Sequence, residues 1–383
     1  MASVSSATAN LKNVLIVGFG SVGAIYSYIL KNSGHAHVTA VARSNYETVC
    51  AEGLHIRSQK YGDITSWRPD RIVKSVADAA DRPYSYVILC TKAIPELATT
   101  PQVLAPLLSP LYVSHHEQPV YVLLQNGLGV ERDLYHSVKA LGKGEPRILS
   151  TVVWIGTNLK GNVVEHNNFD RVTLGVYRHD DHLTTTNKPS EKALLDDFGS
   201  MLEKGGTTLT IVPEIQRMKF AKNLWNVAFS SLSTLTDSPL TAIFRPAPRA
   251  DSALRYEPYV TPVTADKVQE HTLASLKGTL GELIALGRAM GYPDNPEGLP
   301  STLINSTIEN TGKQHQDPNH TYLPSMLLDV RTNKPIEVEV IFGEIVRMAR
   351  RWDVPVPRIE TLYGLLTVVQ NQILGGLRQG QRQ

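Results

Sequence analysis

The stretch VLIVGFGSVGA, residues 14–24, decides how this chain is read. An apolar run ends in Gly18-x-Gly20-x-x-Gly23, and the helical pattern VGAIYSYILKNS follows, closed by Gly34. Strand, glycines at this spacing, then helix is the context of a dinucleotide fingerprint. The first glycine makes the tight turn, the second lets a pyrophosphate approach the backbone, and the third lets helix and strand pack closely. The helix N-terminus then meets the phosphates with unpaired N–H groups and the positive end of its dipole. The loop Gly18, Phe19, Gly20, Ser21, Val22 and Gly23 is the expected cofactor cradle. The plain alternative is a βα turn.

The next apolar run, HVTAVAR, sharpens the reading. A site for NAD usually carries Asp or Glu about 20 residues past the glycines, to bind the ribose 2′-hydroxyl. Here Arg43 and Ser44 stand at the strand end. A guanidinium suits a 2′-phosphate, so NADPH is the expected cofactor. The alternative is a solvated arginine at a strand end.

The rest of the first half repeats the theme. YVILCT and PVYVLLQN are apolar runs, each followed by a turn and a helical segment. Continuous β-branched runs alternating with helices indicate a parallel sheet covered on both faces. ILSTVVWIGTNL, NVVEH and RVTLGVY read as further strands, some of them antiparallel, and TTLTIV as a last one. After Pro213 long helical patterns dominate. At 383 residues two domains are expected, with boundaries 1–212 and 213–383. Residues 245–264, rich in Pro, Arg and Ala, read as a surface excursion.

Composition excludes several classes. The chain is 42% apolar and 19% charged, with net charge +2 and no Lys/Arg block, so no nucleic-acid partner is expected. Cys50 and Cys90 cannot make a disulfide framework, and Cys90 reads as a buried small hydrophobe. The start MASVSSATAN reads as a loose tail rather than a signal peptide, and no run is long enough to span a bilayer. A cytoplasmic protein is expected, and a homodimer is compatible with it.

Three clusters carry polar groups in places that call for an account. In MKFAKNLWNVAFSSLSTL the apolar residues cover most of a helix, yet Lys222, Asn226 and Ser230 recur every four residues on one face. Either that face is a narrow solvated stripe or the groups have buried partners. LLQNGLG puts Gln125, Asn126 and Gly127 at the carboxyl end of a late strand, where α/β sheets bind ligands and where Asn-Gly also makes ordinary turns. LPSMLLDVRTNKPIEVE carries Ser325, Asp329 and Glu337. Ser325 could cap a helix, and Glu337 could favour a first turn after Pro335.

Taken in order, these residues resemble the ketopantoate reductase (2-dehydropantoate 2-reductase) family. The shared pattern is the glycine loop, Arg43, Thr91-Lys92, Gln125-Asn126-Gly127, Lys222 with Asn226, and Ser325-Met326 with Asp329 and then Glu337. The match spans nearly the whole chain. It implies an α/β fold, with an N-terminal Rossmann-type doubly wound sheet, an all-helical C-terminal domain and an active site in the cleft between them. It also implies NADPH-dependent reduction of a 2-oxo acid, foremost 2-dehydropantoate. Lys222 would be the general acid, with Glu337 beside it. Lys92, Asn126 and Glu337 would help hold the cofactor. Asn126, Lys222, Asn226, Ser230, Ser325 and Asp329 would face the substrate.

The chain also departs from that pattern. Ser230 and Ser231 stand where the family usually has a second Asn, and Pro324 where it often repeats Ser. A shorter donor set points to 2-ketoisovalerate as an alternative substrate. Two rivals remain, a non-catalytic NADP(H) sensor and a dehydrogenase built on histidine. The first has no need of the Lys222–Glu337 pair. Against the second, His115-His116, His315 and His320 read as surface loops, and no metal site is expected.

Overall fold

The computed structural model describes residues 11–249, 251 and 254–380. The expected N-terminal tail lies outside them. The chain forms two compact units. Unit 1 runs to Asn126 and includes Val130–Met218, and unit 2 holds Gly127–Gly129 and the chain from Lys219 onward.

Unit 1 is built on one sheet. Its strands are β1 (Lys12–Val17), β2 (Ala36–Val41), β3 (Leu54–Ser58), β4 (Gly62–Trp67), β5 (Arg71–Val73), β6 (Tyr86–Leu89), β7 (Val120–Leu123), β8 (Ile148–Lys160), β9 (Val163–Val176) and β10 (Thr208–Ile211). The neighbours β5-β2-β1-β6-β7-β8 are all parallel. This is the doubly wound order, with its reversal between β1 and β6, where such sheets bind ligands. Side chains Val14 to Val17 are at most 2% exposed, as a strand covered on both faces requires.

The antiparallel part lies beyond β8. β9 pairs antiparallel with β8, and its other side takes β3 along one half and β10 along the other. The stretches NVVEH and RVTLGVY, read as two strands, are one continuous β9. The hairpin β3–β4 falls in sequence between β2 and β5 yet sits at the far edge of the sheet.

Helix α1 (Ser21–Asn32) buries Ile25, Tyr26, Ile29 and Leu30 and packs against α2 (Pro189–Lys204). The end of unit 1 is pinned by Arg178. Its guanidinium grips Glu191 through Nε (3.0 Å) and Nη2 (2.8 Å) and also donates to the carbonyl of Pro213. The next residue, Glu214, starts the helix that matters most. Its carboxylate accepts the backbone N–H groups of Gln216 (2.7 Å) and Arg217 (2.6 Å), a cap that also favours the helix dipole.

Among the described residues unit 2 has no strand. Helix α3 (Gln216–Trp225) continues through a π turn at Asn226–Ser230 into α4 (Ser231–Leu235). Then come α5 (Leu273–Ala289), α6 (Leu303–His315) and α7 (Ser325–Arg331). A π turn at Glu339–Gly343 leads into α8 (Glu344–Arg351), and α9 (Pro357–Gly380) closes the described chain. Glu282 on α5 accepts the N–H groups of Arg358 (3.2 Å) and Ile359 (3.1 Å) and so caps α9. The 245–264 segment is not wholly a surface excursion. Arg245 is 2% exposed, and Val260 returns to donate to its carbonyl at 2.8 Å.

Candidate functional site

The three glycines of the loop differ in what requires them. Gly18 has φ +101°, and a Cβ there would lie 2.7 Å from the Thr91 nitrogen. A Cβ at Gly23 would lie 2.0 Å from the Gly18 carbonyl oxygen. Both glycines are demanded by the protein's own packing. Gly20 is not. Its φ is −81°, open to any residue, and a Cβ there would meet nothing within 4 Å. It stands just before α1, where no side chain caps the first turn and no acidic residue occupies it. Open room beside uncapped N–H groups fits a pyrophosphate.

The loop residues between the glycines turn two ways. Phe19 (4% exposed) belongs to the core, and Val22, partly buried, packs against that core. Ser21 donates weakly to the Thr157 carbonyl (3.5 Å). Asn45 Nδ2 donates to the Phe19 carbonyl (2.9 Å) and ties the loop to the end of β2. Arg43 is exposed there, and among the described residues no carboxylate pairs with it. Just past the end of β7, Gln125 Nε2 donates to the carbonyl and hydroxyl of Thr91, which follows β6 (3.1 and 3.2 Å). Gln125 is buried, and its Oε1 has no partner among the described residues. Lys92 is exposed and Asn126 half-buried.

The Asn-Gly pair is more than a turn. Gly127 has φ +85°, and a Cβ there would lie 2.5 Å from Val340 Cγ2. The next residue, Leu128, donates its N–H to the Val340 carbonyl (2.7 Å). Residues 127–129 thus seat on the π turn that follows Glu337.

Unit 2 brings Lys222 and Glu337 together. Lys222 is half-buried and Glu337 buried. Desolvation pushes the Lys222 ammonium down to about 8; Glu337 opposes the shift and Lys219 adds to it. Each of the two residues precedes a π turn, and those turns pack against each other. Asn223 Nδ2 donates to the Ile341 carbonyl (2.9 Å) and locks them together. The π turn also aligns the polar stripe. Four residues overshoot one turn of α-helix by about 40°. The wider π turn takes that drift back, so Ser230 lies in line with Lys222 and Asn226. Asn226 is half-buried and Ser230 is 2% exposed, so the stripe is not a solvated face.

Helix α7 packs against this π turn and carries Ser325 and Asp329. Ser325 is exposed and is the first helical residue, with Pro324 at the capping position, so it does not cap the helix. Asp329 is 7% exposed. The expected helix after Pro335 begins only at Val338, so Glu337 lies just ahead of it rather than in its first turn. His315 corrects the surface reading more sharply. It ends α6 at 1% exposure, and burial pushes its imidazole down to about 4. Lys219 (5% exposed) and Asn223 (2% exposed) were missed in the sequence. Lys219 lies three residues before Lys222, a helical spacing that could have found it. Among the described residues no group of three or more His, Cys, Asp or Glu could hold a metal ion. Among those residues no helix is long and apolar enough to cross a membrane.

The comparisons with known proteins agree with this geometry. Residues 14–179 match the family model described as ketopantoate reductase PanE/ApbA, and residues 260–370 match the model of its C-terminal part. An uncharacterised protein of Saccharomyces cerevisiae is 25% identical over 379 residues, covering 95% of each chain. A 2-dehydropantoate 2-reductase of Nostoc is 24% identical over 356 residues, covering 92% of this chain and 94% of the relative. The crystal structure of 2-dehydropantoate 2-reductase from Methylococcus capsulatus superposes with a TM-score of 0.70 at 25% identity, covering 94% of this chain and 97% of the other.

Proposed function

Because the chain belongs to the ketopantoate reductase family, whose members are NADP-dependent oxidoreductases acting on CH–OH groups, we propose that it reduces a 2-oxo acid to the 2-hydroxy acid with NADPH. The observation that carries this reading is the half-buried Lys222 of unit 2, whose ammonium pKa burial lowers and which the buried Glu337 helps keep charged. A bound nicotinamide would supply the hydride that reduces C2 of the substrate. As the C=O electrons move onto oxygen, Lys222 stabilises the developing alkoxide and then transfers its proton to it, leaving a neutral amine that solvent reprotonates. Glu337 keeps enough of the lysine charged for this at neutral pH. Asn126, Asn226, Ser230, Ser325 and Asp329 would offer hydrogen bonds to the substrate. In the nucleotide site Gly20 would leave room for a pyrophosphate, Lys92 and Asn126 would help hold the cofactor, and Arg43 would suit a 2′-phosphate.

2-Dehydropantoate is the substrate that the family's name suggests. A second reading, 2-ketoisovalerate, is favoured by Ser230, whose side chain reaches less far than the Asn it replaces. The two free cysteines, Cys50 and Cys90, suit a reducing compartment such as the cytoplasm. The test is consumption of NADPH, and of NADH for comparison, against a panel of 2-oxo acids. Turnover with NADPH preferred supports the proposal. No turnover of any 2-oxo acid contradicts the reaction, and a preference for NADH contradicts the role of Arg43.

A further inference from the structure

Beside Asn226 and Ser325 unit 2 presents an aromatic corner. Trp225 precedes Asn226 on α3, and Tyr322 lies three residues before Ser325. Their ring centroids are 6.4 Å apart at an interplanar angle of 57°. Phe229 stacks behind Trp225 at 5.8 Å and 30°. Tyr322 is 43% exposed, and Trp225 is half-buried.

Both rings are held in place. The indole Nε1 donates to Thr311 Oγ1 on α6 (3.1 Å), which fixes the ring plane and uses its only donor. Tyr322 follows a loop clamped by Arg245, whose Nη2 donates to the carbonyls of Asp317 (3.0 Å) and His320 (2.6 Å). Tyr256, from the 245–264 segment, covers that guanidinium at 5.3 Å. Below the clamp His315 and His320 pack edge to face at 4.4 Å, and His315 Nδ1 bonds to the Thr311 carbonyl (2.8 Å). The clamp is buried among neutral rings, so the corner is part of a rigid wall rather than a loose loop.

A rigid, partly exposed pair of rings next to polar groups is the make-up of a small-molecule subsite. Its faces offer π surface. A hydroxymethyl group laid on them would lose water without gaining a partner, whereas a ring gains an offset or edge contact. We infer that Trp225 and Tyr322 form the subsite for the side chain of the 2-oxo acid, and that this side chain carries an aromatic ring. The inference rests on the proposed reaction and names its substrate class. Arg245 is a positioning residue for the subsite.

The test is the kcat/KM of the purified chain with NADPH on phenylpyruvate, 2-dehydropantoate, 2-ketoisovalerate and pyruvate. Phenylpyruvate is expected to exceed 2-dehydropantoate at least tenfold. In Trp225→Ala the phenylpyruvate-to-pyruvate ratio falls at least tenfold, mainly through KM, and Trp225→Phe restores most of it. Tyr322→Ala, at an exposed position that does not threaten folding, lowers the same ratio. A preference for 2-dehydropantoate, or an unchanged ratio in Tyr322→Ala, overturns the subsite while leaving the reaction standing. A parent enzyme that consumes no NADPH with any of the four overturns the reaction and the subsite with it.

Discussion

Under the proposed reaction, the loop Gly18–Gly23 in unit 1 and the helix that carries Lys222 in unit 2 prepare for chemistry in opposite ways. The loop works by leaving side chains out. Gly20 leaves a space that no described residue enters within 4 Å of an added Cβ, and α1 is left without a side-chain cap. The helix works by packing charged and polar groups closely. Lys219, Asn223 and Ser230 are at most 5% exposed, and Lys222 is held half-buried against Glu337 by two π turns. Geometry suffices to bind a phosphate, because backbone N–H groups are always available. Tuning a proton donor takes a desolvated charge and a counter-charge, and those must come from distant parts of the chain.

Substitutions can break this contrast. The largest effect is expected from Lys222→Met. It should lower turnover by about 10²–10⁴, or roughly 3–5 kcal/mol, while the Kd for NADPH stays within about threefold. Steady-state kinetics and fluorescence titration measure the two; equal loss in both would place Lys222 in the cofactor site instead. Next comes Gly23→Ala, whose Cβ would collide with the Gly18 carbonyl at 2.0 Å. About 2–4 kcal/mol of stability should go, seen as a fall in Tm of roughly 5–10 °C. Arg43→Gln should raise the KM for NADPH about tenfold or more, as loss of a charge-assisted hydrogen bond would, and leave NADH nearly unaffected. The smallest is Gly20→Ala. Its Tm should stay within about 2 °C of the parent, because the added methyl meets open space. Its Kd for NADPH should rise about tenfold, or ~1.4 kcal/mol. If Gly20→Ala and Gly23→Ala behaved alike, the two glycines would serve one purpose and the contrast would fail.

The same contrast explains what the sequence disclosed. Backbone constraints select residue types locally, so the glycine loop and the buried runs of β1, β2, β6 and β7 were legible as text. The hairpin β3–β4 was not, since its partner β9 lies about a hundred residues away and its exposed half, Gly62–Trp67, has little apolar pattern. The π turn at Asn226–Ser230 was invisible to a period of 3.6, though it brings Ser230 into line. His315 misled because a polar Pro-containing run follows it, whereas its burial comes from contacts with Phe244 and His320. Lys222, Asn226 and Glu337 were picked out by their ordered resemblance to a family. Periodicity alone left the stripe open between a solvated face and a buried one.

The central claim is that Lys222 donates the proton and Glu337 holds it charged. The pH profile of kcat/KM for 2-oxo acid reduction tests it most directly. The ammonium is the active form, so activity should fall as pH rises through about 8, the value to which burial depresses Lys222. Glu337 favours the charged form, so Glu337→Gln should move this alkaline limb to lower pH by about one unit, or ~1.4 kcal/mol. A profile flat from pH 7 to about 10, or a limb that Glu337→Gln leaves in place, would contradict the account.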